Sequence, residues 1–502
     1  MVAETLDAES YEEHFAEYVF ERSEEGRAVR VGEKETSEQA AIVARYRYLF
    51  TRDQLTVLTA AQEDASGTER ERLFRLRESC QEGLIARELA ERFDALENAV
   101  LATTVDLAGD AVPLRAAQAQ LAVIDDYSQR DALGDRIAVA SAELNDQRLD
   151  LWRDGERLES ELSERADPIA RSSELKGVVL TVLAEAVERA SAELGAVFSR
   201  ERSYWLDRIL GEHEDEPSSA HVSYIRRLSP LAETYSKECS VPVCLQTLAE
   251  LGCELESSGR IRLDLEDRPQ KNPRACVIAS RPPEVVHLIT RAQGGLADYE
   301  AFLHEAGHAL HYAGCDATLP YTFRRLARDH ALTEIYSFAV DSIARQPGWH
   351  ARHFALDAVE ARENARAAAF VELLLFRRYV AKLRYELRLW SDFDNATAYS
   401  EVYADKVSGA IGFRYPPSGY LEDMDAGFYS ADYLRAWVRA AQVRCHLRET
   451  VGSDWWCRRE TGAFLRELFR EGTQPTSEEI AGRLGFDPLD TRPLVEELAV
   501  SA

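Results

Sequence analysis

The sequence predicts a mainly α-helical protein with one small β-sheet beside a histidine-rich helix. Residues 36 to about 210 carry apolar residues at spacings of three and four, the pattern of amphipathic helices. Residues 261–290 instead contain short β-branched runs bounded by proline and glycine, which indicate strands. The chain has 502 residues, too many for one compact core, so we expect two or more lobes.

The helical pattern of the first half is clear in R-L-F-R-L-R (72–77) and L-I-A-R-E-L-A-E-R-F (84–93), where Glu and Arg fill the remaining faces. A polar break with Pro217 follows at 211–221. We therefore divide the chain into a helical N-terminal region, 1–215, and a second region, 216–502, that carries the functional motifs.

Charge and composition exclude several classes of function. The chain has 60 Lys+Arg against 88 Asp+Glu, a formal net charge of -28, so its overall field does not attract nucleic acid or an anionic membrane. The 8 cysteines form no C-x-x-C pair, which fits a reducing compartment. The N-terminus M-V-A-E-T-L-D-A-E-S has no signal-peptide pattern, and no apolar run reaches the length of a membrane span. We expect a soluble, cytoplasmic protein.

Three runs predict the small sheet: I-R-L-D-L-E (261–266), A-C-V-I-A-S (275–280) and V-V-H-L-I-T (285–290). We expect the last of these to be an edge strand, able to pair with an extended peptide, and we interpret His287 within it as structural. A Gly294-Gly295 turn then leads into a helix that contains A-F-L-H-E-A-G-H-A-L-H-Y (301–312).

This helix carries an H-E-x-x-H motif formed by His304, Glu305 and His308. Positions i and i+4 share one helix face, so both imidazoles can bind one metal ion. Zinc takes histidine nitrogen ligands, and Glu305 is placed to act as general base on a bound water. The motif therefore predicts a catalytic zinc site with one Zn²⁺ per chain, although manganese or cobalt can occupy such a ligand set.

The third ligand has several candidates downstream. A site of the H-E-x-x-H-x-x-G-x-x-H type is excluded because His311 and Gly314 stand where it needs Gly and His. The acidic candidates that remain are Asp316, Asp329, Glu334 and Asp341. Glu334 lies on a clean helical pattern, far enough after His308 for an antiparallel return. Asp341, seven residues later, could orient a ligand histidine, and Asp329 is the weaker rival as a ligand.

Two motifs then resemble the thimet oligopeptidase and oligoendopeptidase F family of zinc metallopeptidases. H-E-A-G-H-A-L-H resembles the family's H-E-x-G-H-A-x-H, including Gly307, and T-E-I-Y-S-F resembles its ligand motif, with Glu334 as ligand and Ser337 as the serine. D-A-G-F-Y-S-A-D-Y-L-R-A-W (425–437) is similar to the family's tyrosine-bearing segment. The resemblance covers about residues 255–470, and it implies a long helical N-terminal half that walls a deep channel between two lobes.

The tyrosine segment departs from the thimet-type pattern, since Met424 and Ala431 stand where tyrosines are expected. The oligoendopeptidase F spacing points to Tyr429 and Tyr433 as donors that stabilise the oxyanion. Tyr420 is a third candidate and could contact substrate. The family's substrate-contacting histidine has no counterpart between residues 410 and 430. His311 lies near the face of the ligands, so we expect it to pack at the site and contact substrate.

The resemblance implies a metalloendopeptidase that cuts internal bonds of short, unfolded peptides; the oligomeric state is left open. Two alternatives stay open. A zinc carboxypeptidase or dipeptidase on the same scaffold would need a cation for the substrate's carboxylate, with Arg274, Arg414 and Arg435 as candidates. A catalytically silent peptide-binding homologue is the other, although it would have no need of Glu305.

Overall fold

The computed structural model describes residues 5–501 apart from 35–37, 164, 212–215, 229–230, 232, 269–270 and 273. Helices dominate these residues, as the sequence predicts. The helices are α1 (Ala8–Arg30), α2 (Gln39–Arg45), α3 (Arg52–Asp64), α4 (Gly67–Ala102), α5 (Leu114–Gln120), α6 (Tyr127–Ala142), α7 (Asn145–Leu162), α8 (Pro168–Lys176), α9 (Leu180–Glu193), α10 (Gly195–Leu210), α11 (Val222–Arg227), α12 (Lys237–Glu250), α13 (Leu296–Gly314), α14 (Tyr321–Arg325), α15 (Ala331–Asp341), α16 (Pro347–Phe354), α17 (Ala358–Trp390), α18 (Ser400–Ile411), α19 (Tyr429–Thr450), α20 (Arg459–Arg470), α21 (Ser477–Arg483) and α22 (Arg492–Ser501).

The N-terminal region also contains a short hairpin that the helical prediction missed. Strand β1 (Thr104–Leu107) pairs antiparallel with β2 (Asp110–Pro113). The turn between them uses Ala108 and Gly109, both at positive φ. The β-branched T-T-V before the turn carries the strand signal, but the run is too short to interrupt the helical periodicity around it.

The predicted small sheet is present, but one strand occupies a different position from the one expected. It consists of β3 (Ile261–Asp264), β4 (Cys276–Arg281) and β5 (Val285–Ile289) in the order β3-β5-β4. The predicted edge strand β5 is therefore wrong as an edge, because it pairs parallel with β3 and antiparallel with β4. Its nearly continuous apolar run is what a strand flanked on both sides requires.

The free edge closest to the motif helix is β4. Its far end is partly covered, because Nε of Arg325 donates a hydrogen bond to the carbonyl of Ala279 at 3.0 Å. His287 on β5 bonds Oε1 of Glu24 at 2.8 Å, so it ties the sheet to α1 and does not face the metal ligands, in agreement with its structural interpretation.

The largest hydrophobic core runs through most of the chain. It joins Leu149, Val187 and Trp205 of helices α7, α9 and α10 to Leu303 of α13 and Phe370 of α17. Helices on both sides of the polar break thus share one core. The division between residues 215 and 216 stays a prediction, and part of that break, 212–215, lies outside the described residues.

A second, smaller core holds the first helices together and connects them to the motif region. It includes Tyr11 of α1 and Leu76 of α4, and it reaches Tyr321 of α14. Arg75 of α4, only 3% exposed, donates to the carbonyl of Leu326 at 2.8 Å. These contacts fix the N-terminal helices beside the segment that leads into α15. Every described helix is too short or too polar to span a bilayer.

Candidate metal centre

The centre forms where α13 crosses α15, and Gly307 permits the close approach. A Cβ atom at this position would lie 2.6 Å from Cα of Ser337 and 2.7 Å from the carbonyl oxygen of Tyr336. Any side chain larger than hydrogen would push the two helices apart. The motif glycine therefore sets the distance between the histidines of α13 and the carboxylate of α15.

His304, His308 and Glu334 meet at this crossing. Oε2 of Glu334 lies 3.3 Å from Nε2 of His304 and 3.6 Å from Nε2 of His308. A tetrahedral zinc ion with ligand atoms at about 2.1 Å would hold those atoms about 3.4 Å apart. Among the described residues, these three are the group whose ligand atoms, all within 4.8 Å of one another, could hold a metal ion. The sequence-predicted ligand set is thus brought together.

Asp341 orients one of the two imidazoles. Its Oδ2 lies 3.0 Å from Nδ1 of His304, which leaves Nε2 of that ring directed at the ligand position. Arg345 holds the other carboxylate oxygen of Asp341 at 3.2 Å and also pairs with Glu372 at 2.7 Å. A buried carboxylate that fixes the ring and raises its basicity is the usual support of a metal-binding histidine.

The charges in this cluster shift the pKa values of its members in opposite directions. Burial alone would lower the pKa of His304, but the hydrogen bonds to Asp341 and Glu334 raise it well above its usual value. Burial would raise the pKa of Glu334, but the facing imidazoles of His308 and His304 hold it well below its usual range. A divalent cation binding here would displace the imidazole protons and take over their role as partners of the carboxylate.

Glu305 follows His304 and is half-buried, with solvent access. No hydrogen bond or ion pair to its carboxylate is found among the described residues, unlike for the neighbouring Glu334. Glu305 contributes to the raised pKa of the Cys276 thiol on β4, which is about 11 mainly because of burial. The carboxylate of the motif glutamate is therefore not engaged by another described side chain.

Tyr429 and Tyr433 both lie at the centre, as the resemblance implied. The Tyr429 phenol donates a hydrogen bond to Oε1 of Glu334 at 2.8 Å. The Tyr433 ring packs against that of Tyr429, with centroids 4.8 Å apart. Burial and the charge of Glu334 raise the pKa of both phenols, so both keep their protons and can donate.

The backbone before α19 is shaped to deliver Tyr429. Gly427 and Phe428 both adopt the left-handed region, with φ of 58° and 54°. Buried Glu386 of α17 fixes the segment by accepting hydrogen bonds from the Asp425 amide at 2.8 Å and from the Ser430 hydroxyl. Helix α19 therefore begins at Tyr429 and directs this side chain at α15.

His330 is a site residue that the sequence analysis missed. It directly precedes α15, one helical turn before Glu334, and its side chain is exposed. Its ring centroid lies 4.7 Å from that of Tyr429. The spacing H-x-x-x-E is the signal that could have placed His330 and Glu334 on one helix face.

Two residues expected to contact substrate are placed elsewhere. His311 is fully buried, and its Nε2 bonds the carbonyl of Gly472 at 2.8 Å, so a substrate cannot reach it. Burial lowers its pKa to about 4. Tyr420 is 6% exposed, its carbonyl accepts from the Tyr385 hydroxyl, and its electrostatic neighbours are residues of α7. Both side chains pack the scaffold around the site.

The structure also reports on the rival metal ligand Asp329 and on two arginines that were candidates for binding a substrate carboxylate. Asp329, the rival ligand, pairs with Arg435 and accepts the Ala331 amide at 2.9 Å, so its carboxylate is occupied. Arg435 is 1% exposed and also pairs with Glu478, which makes it unavailable to a substrate carboxylate. Arg414 is largely exposed and lies 4.0 Å from Asp131 of α6.

No family model and no curated protein sequence matches this chain. Solved structures do. Metallocarboxypeptidase 1 of Trypanosoma cruzi superposes with a TM-score of 0.64 at 14% identity, over 98% of this chain and 99% of that one. A carboxypeptidase from Deinococcus radiodurans gives 0.62 at 15% identity, over 97% of each chain. A protein described as an oligoendopeptidase F gives 0.62 at 16% identity, over 89% of this chain and 83% of that one.

These likenesses extend over nearly the whole chain at low sequence identity. They confirm, at the level of the fold, the resemblance that the H-E-A-G-H-A-L-H and T-E-I-Y-S-F motifs carry. The chain has the fold shared by these carboxypeptidases and oligoendopeptidase F.

Proposed function

We propose that this chain is a zinc-dependent peptidase that hydrolyses internal bonds of short, unfolded peptides. The observation that carries the proposal is the spacing of His304, His308 and Glu334, which matches a tetrahedral ion, beside the free carboxylate of Glu305. A scaffold that only bound peptides would not need a solvent-accessible glutamate next to two imidazoles and a carboxylate.

The residues fit zinc well. Two imidazole nitrogens and one carboxylate oxygen leave a fourth position open, as in catalytic zinc sites. Asp341 sets the orientation of His304 by bonding the nitrogen that does not face the ion. When bound, zinc would polarise the scissile carbonyl and lower the pKa of a water at the open position.

The chain's own side chains supply the proton transfer and the hydrogen bonds. Glu305 takes the proton of the attacking water and delivers it to the nitrogen of the leaving amine. Tyr429 exchanges its hydrogen bond to Glu334 for one to the oxygen on which negative charge develops. Tyr433 packs behind Tyr429 and holds its ring in place.

The substrate class is the one that the resemblance to thimet oligopeptidase and oligoendopeptidase F implies. The channel expected between two lobes would admit a short, extended peptide and exclude a folded protein. Arg226 of α11 and His330 are accessible to solvent, so an entering chain can reach both.

The test compares the parent protein with Glu305→Gln. The parent should contain about one zinc per chain and cleave a quenched fluorescent peptide, whereas the variant should keep its zinc and lose cleavage at least about 1000-fold. Glu401→Gln, an exposed glutamate on α18, is the matched control and should behave like the parent. An active Glu305→Gln protein, or a parent that holds zinc and cuts no peptide in a broad set, would contradict the proposal.

Carboxypeptidase activity is the second candidate, supported by the near-complete overlap with two carboxypeptidases. A cation is also suitably placed. Arg226 is exposed, and no ion pair to it is found among the described residues. It interacts electrostatically with Glu300, one turn before His304, and with Tyr379, which packs on Tyr433. It could bind the carboxylate at the end of a substrate.

Product analysis separates the two candidates. An endopeptidase cuts a peptide and its C-terminal amide at the same internal bond, whereas a carboxypeptidase releases single residues and loses activity on the amide. In the second case Arg226→Gln should raise KM for the free acid about tenfold or more. Exposed Arg388→Gln on α17 is its control.

A further inference from the structure

The face of α15 that carries Glu334 continues one turn earlier in His330, and that histidine has no role in the chemistry described so far. Its backbone is firmly held, because its carbonyl accepts the Glu334 amide at 3.0 Å and its amide lies 3.4 Å from Oδ2 of Asp432. Its side chain, in contrast, is exposed. A fixed backbone with an accessible imidazole presents a polar group to solvent in one defined place.

The imidazole of His330 contacts a residue of the metal centre. The ring lies against Tyr429, with centroids 4.7 Å apart and planes at 49°. The phenol of that tyrosine in turn bonds Glu334 at 2.8 Å. The charged groups with an electrostatic effect on His330 are Glu334, Lys176, Asp329 and Arg325. Its imidazole carries at least one N–H donor in either protonation state.

We propose that His330 binds the substrate, donating a hydrogen bond from its imidazole to a main-chain carbonyl of the peptide next to the scissile bond. This inference rests on the proposed peptidase function and adds a residue to the same site. An extended peptide that passes the metal position beside Tyr429 must also pass His330.

The experiment separates a hydrogen bond from ring packing. His330→Gln keeps an N–H donor at similar reach, whereas His330→Phe keeps the aromatic contact with Tyr429 and loses the donor. His446 is the matched control, since it also packs on an aromatic ring, that of Phe464, with centroids 5.3 Å apart. It lies 17 residues beyond Tyr429 on the same helix, about 25 Å away. Its Gln and Phe variants should match the parent.

Binding is measured in the Glu305→Gln background, by titrating the zinc-loaded protein with an uncut peptide. His330→Phe should weaken binding about tenfold and His330→Gln by no more than about threefold, with unchanged zinc content and melting temperature. In the otherwise unmodified protein, His330→Phe should raise KM by a similar factor and leave kcat nearly unchanged, because the contact is present before and during the reaction.

The outcomes that overturn the inference are distinct from failure of the peptidase proposal. If His330→Phe binds peptide as tightly as its parent, or if His330→Gln is as weak as His330→Phe, the imidazole does not donate to substrate. In that case the parent enzyme can still cleave peptides, and the peptidase proposal survives. If Glu305→Gln protein with His330 intact binds no peptide, the inference fails, and cleavage of peptides by the parent protein decides the peptidase proposal separately.

Discussion

The hydroxyl of Tyr429 donates to Oε1 of Glu334 at 2.8 Å, while Oε2 of the same carboxylate faces His304 and His308. One carboxylate therefore joins a ligand position on α15 to the first residue of α19. The bond places a protonated phenol beside the ion's position. From there the phenol could donate to an oxygen of a bound substrate in place of Glu334.

Tyr429→Phe should lower kcat about 100-fold with little change in zinc content, because the lost donor acts on charge that develops during the reaction. Steady-state kinetics and metal analysis on the same preparation check this. Tyr204→Phe removes a phenol of similar hydrogen bonding to Glu363 on the surface and should leave kcat unchanged. A Tyr429→Phe enzyme with full kcat would assign the oxyanion to other donors.

Gly307→Ala should lower both stability and metal affinity. The added methyl meets the backbone of Ser337 and Tyr336 at under 3 Å, so the helices must separate, at a cost of about 1–3 kcal/mol in the free energy of unfolding. Gly409→Ala is the control, since a Cβ there meets nothing within 4 Å in the last turn of α18. It should stabilise the protein by about 0.5–1 kcal/mol. Urea unfolding and zinc titration of both variants measure the difference.

Asp341→Asn should weaken zinc binding about 10–100-fold while the fold persists. The amide cannot hold the positive charge on His304 or fix its ring as firmly as the carboxylate that now lies 3.0 Å from Nδ1. Competition with a chelator of known affinity gives the change. Asp405→Asn, at an exposed position of α18, should show the parent's affinity.

Glu386 makes stability depend on pH. Burial raises the pKa of this carboxyl to about 8 from a usual value of 4.5, so the folded protein holds its proton more tightly than the unfolded chain. The resulting stabilisation is complete below the unfolded pKa and is lost as pH rises through about 8. Glu386→Gln cannot ionise, so its free energy of unfolding should fall less than the parent's between about pH 6 and about pH 9. Equal slopes in urea titrations of the two proteins would contradict this assignment.

The sequence predicted the features that rest on local spacing. Helical periodicity puts His304 and His308 on one face and leaves room for an antiparallel return, and the resemblance to the family's ligand motif points to Glu334. The crossing itself was not predictable from periodicity, since it depends on the contact of Gly307 with Ser337.

What the sequence did not predict depends on tertiary contacts. The nearly continuous apolar run V-V-H-L-I-T is compatible with an edge strand or a central strand, and the pairing with β3 decides between the two. His311 lies on a helix that carries the ligands, but α20 and the residues after it cover it through Gly472. His330 became visible as a site residue only when α19 brought Tyr429 against it.

The hydrogen bond from Arg325 to the Ala279 carbonyl limits the number of residues of a bound peptide that could pair with the sheet. A peptide segment that paired with β4 would find the backbone groups of this strand available near Cys276. At Ala279, the fourth residue of β4, the carbonyl already accepts a hydrogen bond from Arg325. The pairing would fix one or two residues next to the scissile bond and release the remainder. Such an enzyme would tolerate varied sequences at a distance from the cut and discriminate by side chain only close to it.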